Sequence, residues 1–407
     1  MDAHQELLQR LSERAESKIV LLVLDGVGDL VTAEQEKSAL EIAASPTLDR
    51  LAAEGSLGRL IPVAPGITPG SGPGHLGLFG YDPRRPEVDI GRGVLEAFGL
   101  GLTVGGGDIA ARANFATAND ERQIVDRRAG RISTEECERL VGKLRAALVD
   151  AGLDGEVDVI PGEGHRFVLI MRGDHLSAEI ADTDPQDTGV MALPPVATNE
   201  EAADTAAKVK RVIEIFEDAL IDEDQANAVL LRGFSKPPSL PSFAELYKLR
   251  AGAFAGYPLY RGVASACGMT VVECGKSFGE LVTTVRERWD DFDFFFMHVK
   301  GTDKAGEDGD LAAKAAVIEE VDRGLDELLA ALPDVVAVTG DHSTPAPMAA
   351  HSWHPIPLLV SGKLAFRDRG ETFDEHACTT GTLGTMMSHH LIGVLLAHAG
   401  RLAKYGA

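Results

Sequence analysis

The chain has 407 residues, of which 63 are acidic and 39 basic, so its formal net charge is −24. An apolar content of 44% and a charged content of 25% are typical of a folded globular protein and exclude disordered, collagen-like and disulfide-scaffold classes. The acidity argues against a nucleic-acid partner, because no basic stripe is available to displace counterions. An acidic chain can still bind anions where metal ions or a local arginine cluster supply positive charge.

The N-terminal segment 1–17 is charged throughout and lacks the apolar stretch of a signal peptide. The longest apolar runs are far shorter than the ~20 residues that a membrane span needs. The four cysteines, Cys137, Cys267, Cys274 and Cys378, show no CxxC spacing. We therefore expect a cytoplasmic protein with reduced cysteines and no membrane partner.

The predicted elements alternate between strand and helix. Residues 18–24 form a continuous apolar run that ends before an aspartate, the pattern of a buried central strand. The pattern recurs at 292–299, 334–339 and 356–360, and apolar spacing predicts a helix over 311–331. This alternation predicts an α/β fold with a largely parallel sheet. Polar residues that follow such strands are expected at the carboxyl edge of the sheet, where ligands bind.

The middle of the chain follows a different pattern. From about residue 111 to 245, short strand-like pieces accompany two helical stretches near 134–151 and 199–219. These features predict an inserted α+β domain at 111–245. The core domain would then comprise 1–110 and 246–407.

Four predicted loops carry side chains that suit a metal site. Oxygen donors with a few imidazoles are ligands for Mn²⁺, Zn²⁺ or Mg²⁺. Taken singly, each residue has an ordinary alternative, such as a helix cap for an aspartate that follows a strand. Their recurrence at the ends of core strands predicts that they meet near one point. The candidates are Asp25, Ser71, Asp303, Glu307, Asp341, His342 and His351.

Short stretches in order along nearly the whole chain resemble one family. They are VLDGVGD, TPGSGPGHLGLFGYDP, GRGVLEAFG, ARANFAT, DRRAGRI, GHR, DTDP, LRGF, HVKGTDKAGEDGD, TGDHSTP, AHSWHPIP and the terminal KYGA. On these stretches the chain resembles the archaeal-type cofactor-independent (2,3-bisphosphoglycerate-independent) phosphoglycerate mutases of the alkaline phosphatase superfamily. The resemblance implies an alkaline-phosphatase-like core with helices on both faces of the sheet. It also implies that the inserted domain is a cap that covers the substrate.

The resemblance implies a phosphotransferase that converts 3-phosphoglycerate into 2-phosphoglycerate, and back, in glycolysis and gluconeogenesis. Phosphate would pass to Ser71 as a phosphoserine intermediate and return to the other oxygen, without a 2,3-bisphosphoglycerate cofactor. Two divalent metal ions are implied, with Mn²⁺ expected and Zn²⁺, Mg²⁺ or Co²⁺ as alternatives. The family pattern assigns Asp25, Ser71, Asp341 and His342 to the first ion and Asp303, position 307 and His351 to the second.

The chain departs from the family pattern at position 307. Many relatives have histidine there, whereas this loop contains Glu307. Glutamate remains an oxygen ligand, and its extra charge should shift the preference toward harder ions such as Mn²⁺ or Mg²⁺. The alternatives are that Asp308 binds the ion instead, or that the second site is weakened.

An anionic substrate also needs positive partners, for which arginine offers matching geometry. The alternative for each candidate is a surface ion pair, which is favoured for Arg127 and Lys300, or a structural role, as for His75. The substrate-binding candidates are His75, Arg92, Arg112, Arg128, His165, Arg166 and Lys300.

The sequence leaves two other functions open. One is a related phosphohydrolase or phosphotransferase that acts on another phosphoester. The other is a non-catalytic ligand-binding relative that lost the second metal through the change at Glu307. The chemistry of the candidates fits a small-molecule substrate and is compatible with a monomer or a homo-oligomer.

Overall fold

The computed structural model describes residues 1–406, so that Ala407, the last residue of the terminal KYGA stretch, lies outside the described residues. The chain divides into two compact units. The core unit comprises Met1–Asp89 together with the chain from Ser239 onward, and the inserted unit is Ile90–Pro238.

Strands and helices alternate along much of the chain. The strands are β1 (Ile19–Leu24), β2 (Ser56–Ile61), β3 (Ile109–Ala118), β4 (Gln123–Asp126), β5 (Val157–Pro161), β6 (Arg166–Met171), β7 (Val190–Met191), β8 (Ala228–Ser235), β9 (Ala251–Ala255), β10 (Thr270–Val272), β11 (Phe294–Val299), β12 (Val335–Thr339), β13 (Ile356–Gly362) and β14 (Gly384–Met387). The α-helices are α1 (Ala3–Leu11), α2 (Ala39–Ile42), α3 (Pro46–Glu54), α4 (Ser71–Leu78), α5 (Arg92–Gly99), α6 (Thr134–Asp150), α7 (Ala203–Ala219), α8 (Phe243–Tyr247), α9 (Pro258–Ala266), α10 (Phe278–Glu287), α11 (Gly301–Glu307), α12 (Leu311–Leu329), α13 (Glu375–Thr380) and α14 (Leu391–His398). Within the described residues, none of these helices combines the length and apolarity of a membrane span.

The core unit is built on an eight-stranded sheet with the order β10-β9-β11-β1-β12-β13-β2-β14. Strand β1 lies in the middle and pairs in parallel with both β11 and β12, while β13 runs antiparallel to its neighbours. All six side chains of β1 are buried, as expected for an apolar strand that is covered on both faces. The predicted α/β fold with a largely parallel sheet is confirmed.

The parallel pairing brings distant parts of the sequence to one edge of the sheet. Leu24 pairs with Val299, and Val23 pairs with Thr339, so that β1, β11 and β12 end side by side. The segments that follow them begin at Asp25, Lys300 and Gly340. This edge is the usual place of a ligand site in a parallel sheet.

The inserted unit is an α+β structure. Its six-stranded sheet has the order β5-β6-β3-β4-β7, with β8 paired to β3. Apolar side chains of α6 and α7 join those of the sheet in one buried cluster. Both helices lie close to their predicted positions, because each has a regular apolar face.

The bounds of the inserted unit differ from the predicted 111–245. The unit begins earlier because α5 packs tightly on its sheet: a Cβ on Gly93 would lie 2.1 Å from the Ala110 carbonyl oxygen. The backbone N–H of Val94 also donates to Ser235 Oγ at 3.0 Å. The GRG segment at residues 91–93, where α5 begins, therefore belongs with the inserted unit. The local sequence does not reveal this relationship.

Candidate metal centre

Three buried residues at the carboxyl edge of the core sheet form a first group of metal-ligand atoms. The group comprises Asp25 after β1 and Asp341 and His342 after β12. His342 Nε2 lies 3.3 Å from both Asp25 Oδ1 and Asp341 Oδ2. Burial opposes protonation of His342, but the charges of Asp341 and Asp25 outweigh it and raise the pKa of the imidazole. The same negative potential favours a bound cation.

Asp25 is held through its other oxygen. Oδ2 accepts hydrogen bonds from the Tyr260 hydroxyl, from His298 Nε2 at 3.1 Å and from Lys300 Nζ at 3.2 Å. Burial would raise the pKa of Asp25, but the hydrogen bond from His298 and the neighbouring imidazole of His342 hold it well below its usual range. The carboxylate is therefore charged and oriented, with Oδ1 left facing His342.

Ser71 lies beside this group as the first residue of α4. Its Oγ is 3.3 Å from His342 Nε2. Helix α4 approaches the Asp341 loop closely because residue 74 is glycine: a Cβ there would lie 2.4 Å from the Asp341 carbonyl oxygen. Gly74 therefore allows α4 to pack against the Asp341 loop, with the serine hydroxyl beside His342.

A second group contains Asp303 on α11, His351 and, again, His342. His351 Nε2 lies 3.4 Å from Asp303 Oδ1 and 3.7 Å from Glu307 Oε1. Glu307 and the alternative ligand Asp308 are both exposed at the end of α11 and lie outside this group, although Glu307 approaches His351. His342 therefore borders both groups, whereas the sequence assigned it to the first alone.

The backbone determines which nitrogen of His351 is free to bind. His351 Nδ1 lies 3.1 Å from the Pro69 carbonyl oxygen, which can only accept a hydrogen bond, so Nδ1 carries the proton. In the neutral ring Nε2 then presents its lone pair toward Asp303 and Glu307. The hydrogen bond to Asp303 raises the pKa of His351 to about 9 in the absence of a cation.

The residues present fit a pair of divalent cations. Asp25 Oδ1 and Asp341 Oδ2 are buried and have no hydrogen-bond partner among the described residues. Burial would raise the pKa of Asp303, but hydrogen bonds from His351, Lys300 and Thr344 lower it to about 2. Buried, ionised carboxylates with unused lone pairs are costly unless a cation neutralises them.

Two of the substrate-binding candidates lie in the core unit. His75 is completely buried, with Nδ1 2.8 Å from the Ser71 carbonyl oxygen and 3.2 Å from Asp341 Oδ2. This position favours a role in holding the serine loop and Asp341 over direct contact with substrate. Lys300 is partly exposed, and its Nζ donates to both Asp25 Oδ2 and Asp303 Oδ2, so the ammonium lies between the two groups.

The inserted unit contains a cavity of about 140 Å³ with strongly basic walls. Burial and the neighbouring arginines Arg166, Arg128 and Arg112 lower the pKa of His165 to about 4, so this ring is neutral at pH 7. The cavity is lined by Arg112, Asn114, Arg127, Arg128, His165, Arg166 and Arg232.

The arginines of this cavity are only partly paired. Arg127 donates twice to Asp184 at 2.8 Å, and Arg232 lies 3.3 Å from the same carboxylate. Arg112, Arg128 and Arg166 form no ion pair with a described carboxylate, and the buried Arg166 Nε has no hydrogen-bond partner among the described residues. The cavity therefore has unused guanidinium donors that suit a phosphate or carboxylate.

Arg92 lies apart from the lining of the cavity. It is the exposed first residue of α5, and its charge contributes to lowering the pKa of the half-buried Arg112, after burial itself. Gly233 passes close beside it, since a Cβ on that residue would lie 2.7 Å from Arg92 Cβ.

Several residues of both clusters are absent from the sequence-based prediction. Arg232 lies in the LRGF stretch and Asn114 in ARANFAT, so the motifs themselves carried a signal for both residues. Thr344 lies in TGDHSTP, so its motif carried the same signal, whereas Tyr260 lies outside the quoted stretches and tyrosine is not diagnostic of a metal site. Their importance follows only from the hydrogen bonds that they donate to Asp25 and Asp303.

Known proteins resemble this chain over nearly its whole length. A family model described as 2,3-bisphosphoglycerate-independent phosphoglycerate mutase matches residues 52–226. A probable 2,3-bisphosphoglycerate-independent phosphoglycerate mutase of Thermotoga neapolitana is 47% identical over 403 residues, covering 99% of both chains. The chain belongs to this family. A protein of the same description from Thermus thermophilus is also 47% identical, over 98% of this chain and 99% of the relative.

Solved structures extend the family resemblance to the fold. The cofactor-independent phosphoglycerate mutase of Thermoplasma acidophilum is 30% identical with a TM-score of 0.73, covering 94% of this chain and all of that chain. A Pyrococcus horikoshii protein has a TM-score of 0.79 at 29% identity over 98% of this chain and all of the other. The family predicted from the ordered sequence stretches is thus confirmed.

Proposed function

We propose that this mutase-family protein interconverts 3-phosphoglycerate and 2-phosphoglycerate through a phosphoserine at Ser71. The observation that carries the proposal is the position of Ser71 Oγ, 3.3 Å from His342 Nε2 at the edge of the carboxylate group. The half-buried serine also begins α4, where the helix N-terminus favours the negative charge of a phosphoryl group.

The reaction takes place in two balanced displacements. Ser71 Oγ loses its proton and attacks phosphorus, the bond between phosphorus and the C3 oxygen of the substrate breaks, and the C3 oxygen gains a proton. The C2 hydroxyl then loses its proton and attacks the phosphoserine, the bond between Ser71 Oγ and phosphorus breaks, and Ser71 Oγ regains a proton. Because the phosphoryl group is held on the protein between the two steps, no 2,3-bisphosphoglycerate is required.

Asp25, Asp341, His342 and Ser71 would hold one divalent ion, and Asp303, Glu307 and His351 a second. When bound, such ions stabilise a serine alkoxide and the charge on the transferred phosphoryl group. We favour Mn²⁺, because Glu307 adds a second carboxylate beside Asp303 to a site that also contains an imidazole donor. Lys300 would partly neutralise Asp25 and Asp303, because its ammonium donates a hydrogen bond to Oδ2 of each.

The basic cavity of the inserted unit supplies the other half of substrate recognition in this proposal. Arg112, Arg128 and Arg166 have guanidinium groups that form no ion pair with a carboxylate of residues 1–406. We propose that they bind the substrate's anionic groups, with Arg92 and neutral His165 nearby, and that the inserted unit acts as the cap. Such a cap would exclude water from the phosphoserine. We place the reaction in the cytoplasm, in glycolysis and gluconeogenesis.

The test is a coupled assay on metal-loaded protein. The protein is incubated with Mn²⁺ and 3-phosphoglycerate, and the product is consumed by enolase in the absence of 2,3-bisphosphoglycerate. We expect product from the wild type and a loss of at least ~1,000-fold in Ser71→Ala, which removes the nucleophile. The matched control is Ser265→Ala, a half-buried serine on α9, which should retain full activity.

The other outcomes separate the competing functions. Free phosphate without 2-phosphoglycerate would identify a phosphohydrolase and contradict the proposal. Absence of both products from a folded, metal-loaded protein would indicate a binding protein. Retention of activity in Ser71→Ala would rule out the phosphoserine.

A further inference from the structure

Thr344 lies between the two groups of metal-ligand atoms and touches both. Its Oγ1 donates to Asp303 Oδ1 at 2.6 Å and lies 3.0 Å from His342 Nδ1. The residue is completely buried, so water does not compete for these contacts. A single hydroxyl therefore connects a carboxylate of one group with the imidazole that borders both.

The single proton of the Thr344 hydroxyl determines which ring nitrogen of His342 carries a proton. Thr344 has one proton, and the Asp303 carboxylate, which can only accept, takes it. The contact with His342 must then be made by Nδ1–H donating to the hydroxyl oxygen. In the neutral ring this leaves the lone pair on Nε2, the atom that lies 3.3 Å from Asp25 Oδ1, Asp341 Oδ2 and Ser71 Oγ.

We propose that Thr344 is a positioning residue that selects the metal-binding tautomer of His342 and, with the same hydroxyl, orients Asp303. It thereby couples the two metal sites, a role that rests on the proposed function of these groups as metal ligands. His351 has a carbonyl partner for the same purpose, whereas His342 depends on a side chain that mutation can remove.

The main chain of Thr344 is fixed strongly enough for this role. Its N–H lies 3.2 Å from the Gly26 carbonyl oxygen and 3.1 Å from that of Gly28, both in the segment that follows Asp25. Its own carbonyl oxygen accepts from Lys314 Nζ at 2.8 Å, and this buried ammonium also donates to Gly28 O at 3.0 Å. The hydroxyl therefore has a defined position relative to both strand ends.

Two glycines make room for the threonine side chain. A Cβ on Gly26 would lie 2.4 Å from Thr344 Oγ1, and one on Gly306 would lie 2.9 Å from Thr344 Cγ2. Gly26 follows Asp25 of the first group, and Gly306 precedes the proposed ligand Glu307. Close packing from both sides leaves the hydroxyl no alternative partners, which is the pre-organisation that a tautomer-selecting group needs.

The test compares Thr344→Val, which keeps the shape and removes the hydroxyl, with Thr344→Ser, which keeps the hydroxyl. Mn²⁺ affinity is measured by titration calorimetry on the full-length protein. We expect Thr344→Val to lose roughly 10- to 100-fold in Mn²⁺ affinity, as is typical when the partner of a metal-binding histidine is removed, and Thr344→Ser to stay within ~3-fold of wild type.

A second measurement reads the tautomer directly. In the ¹⁵N spectrum of metal-free wild-type protein, at a pH where the His342 ring is neutral, we expect Nδ1 to carry the proton. A proton on Nε2 would overturn the proposal without any variant. Wild-type Mn²⁺ affinity in Thr344→Val would also overturn the proposal. An equal loss of Mn²⁺ affinity in Thr344→Ser would overturn it as well, because it would show that the packing of the side chain matters and not its hydroxyl. Neither measurement uses substrate. A failure of the proposed reaction would appear in the coupled assay of the wild-type protein and is therefore distinguishable from a failure of this proposal.

Discussion

The imidazole rings of His342 and His351 are stacked, with their centroids 3.7 Å apart and their planes inclined by 26°. Nε2 of His342 faces Asp25 and Asp341, whereas Nε2 of His351 faces Asp303. Two side chains from one loop region thus place candidate ligand nitrogens next to each other at the sheet edge. This arrangement suits two adjacent cations, which can together stabilise the attacking and leaving oxygens of a phosphoryl transfer.

The ligand role of Glu307 is tested by two substitutions. Its Oε1 lies 3.7 Å from His351 Nε2, on a side chain that is 54% exposed. We expect Glu307→Gln to weaken Mn²⁺ binding about tenfold, or ~1.4 kcal/mol, and Glu307→His to shift the preference toward Zn²⁺, because imidazole is a softer donor than carboxylate. Competition with a metal-sensitive dye measures both effects.

The adjacent Asp308→Asn is the matched control for this prediction. Asp308 is exposed at the end of α11, so its substitution should leave Mn²⁺ affinity unchanged. A loss in Asp308→Asn with none in Glu307→Gln would assign the ligand to Asp308 instead.

Tyr260 is expected to strengthen metal binding through Asp25. Burial and the Asp25 charge raise the pKa of the tyrosine, so the hydroxyl stays protonated and donates to Asp25 Oδ2. Tyr260→Phe should therefore lower metal affinity by roughly 10- to 100-fold, because Asp25 is less firmly oriented. Equilibrium dialysis measures the change. Tyr257→Phe, on the exposed residue before α9, is the control, and equal effects in the two variants would contradict the prediction.

His165 provides a pH-dependent reporter of the basic cavity. With a pKa of about 4, its ring binds fewer protons between pH 4 and 6.5 than the same ring does in the unfolded chain, so stability falls as pH drops through this range. We expect its NMR titration to have a midpoint near 4 and to move upward when inorganic phosphate is added, since an anion favours the imidazolium. In His165→Asn the loss of thermal stability between pH 7 and 5 should be smaller. A midpoint near 6.5 in the free protein would show that the arginines do not act on this ring.

Two helical glycines should respond in opposite directions to substitution by alanine. A Cβ on Gly306 would lie 2.3 Å from the Thr344 carbonyl oxygen, so Gly306→Ala should destabilise the core unit by about 1–3 kcal/mol. Gly279 on α10 has no atom within 4 Å of the same position among the described residues, and Gly279→Ala should stabilise by about 0.5–1 kcal/mol. Thermal unfolding measures the two shifts in Tm. An unchanged Tm in Gly306→Ala would show that Thr344 can move to accommodate the added methyl group.

Much of the fold was predictable because local patterns determined it. The run before Asp25 became β1, and the amphipathic stretch 311–331 became α12. The edge of the inserted unit was placed too late, since α5 belongs there through contacts with Ala110 and Ser235, which are distant in sequence. The sequence of a helix does not show which sheet the helix packs against.

The sequence by itself determined the family, the strands and the residue types of the site, since ordered motifs and hydrophobic periodicity are properties of the chain alone. Only the tertiary structure decided that His342 borders both metal groups, that His75 is buried behind Asp341, and that Thr344 links His342 to Asp303. These are relationships of distance and proton donation between side chains on different strand ends. Parallel pairing of β1, β11 and β12 creates them, and no spacing along the chain encodes them.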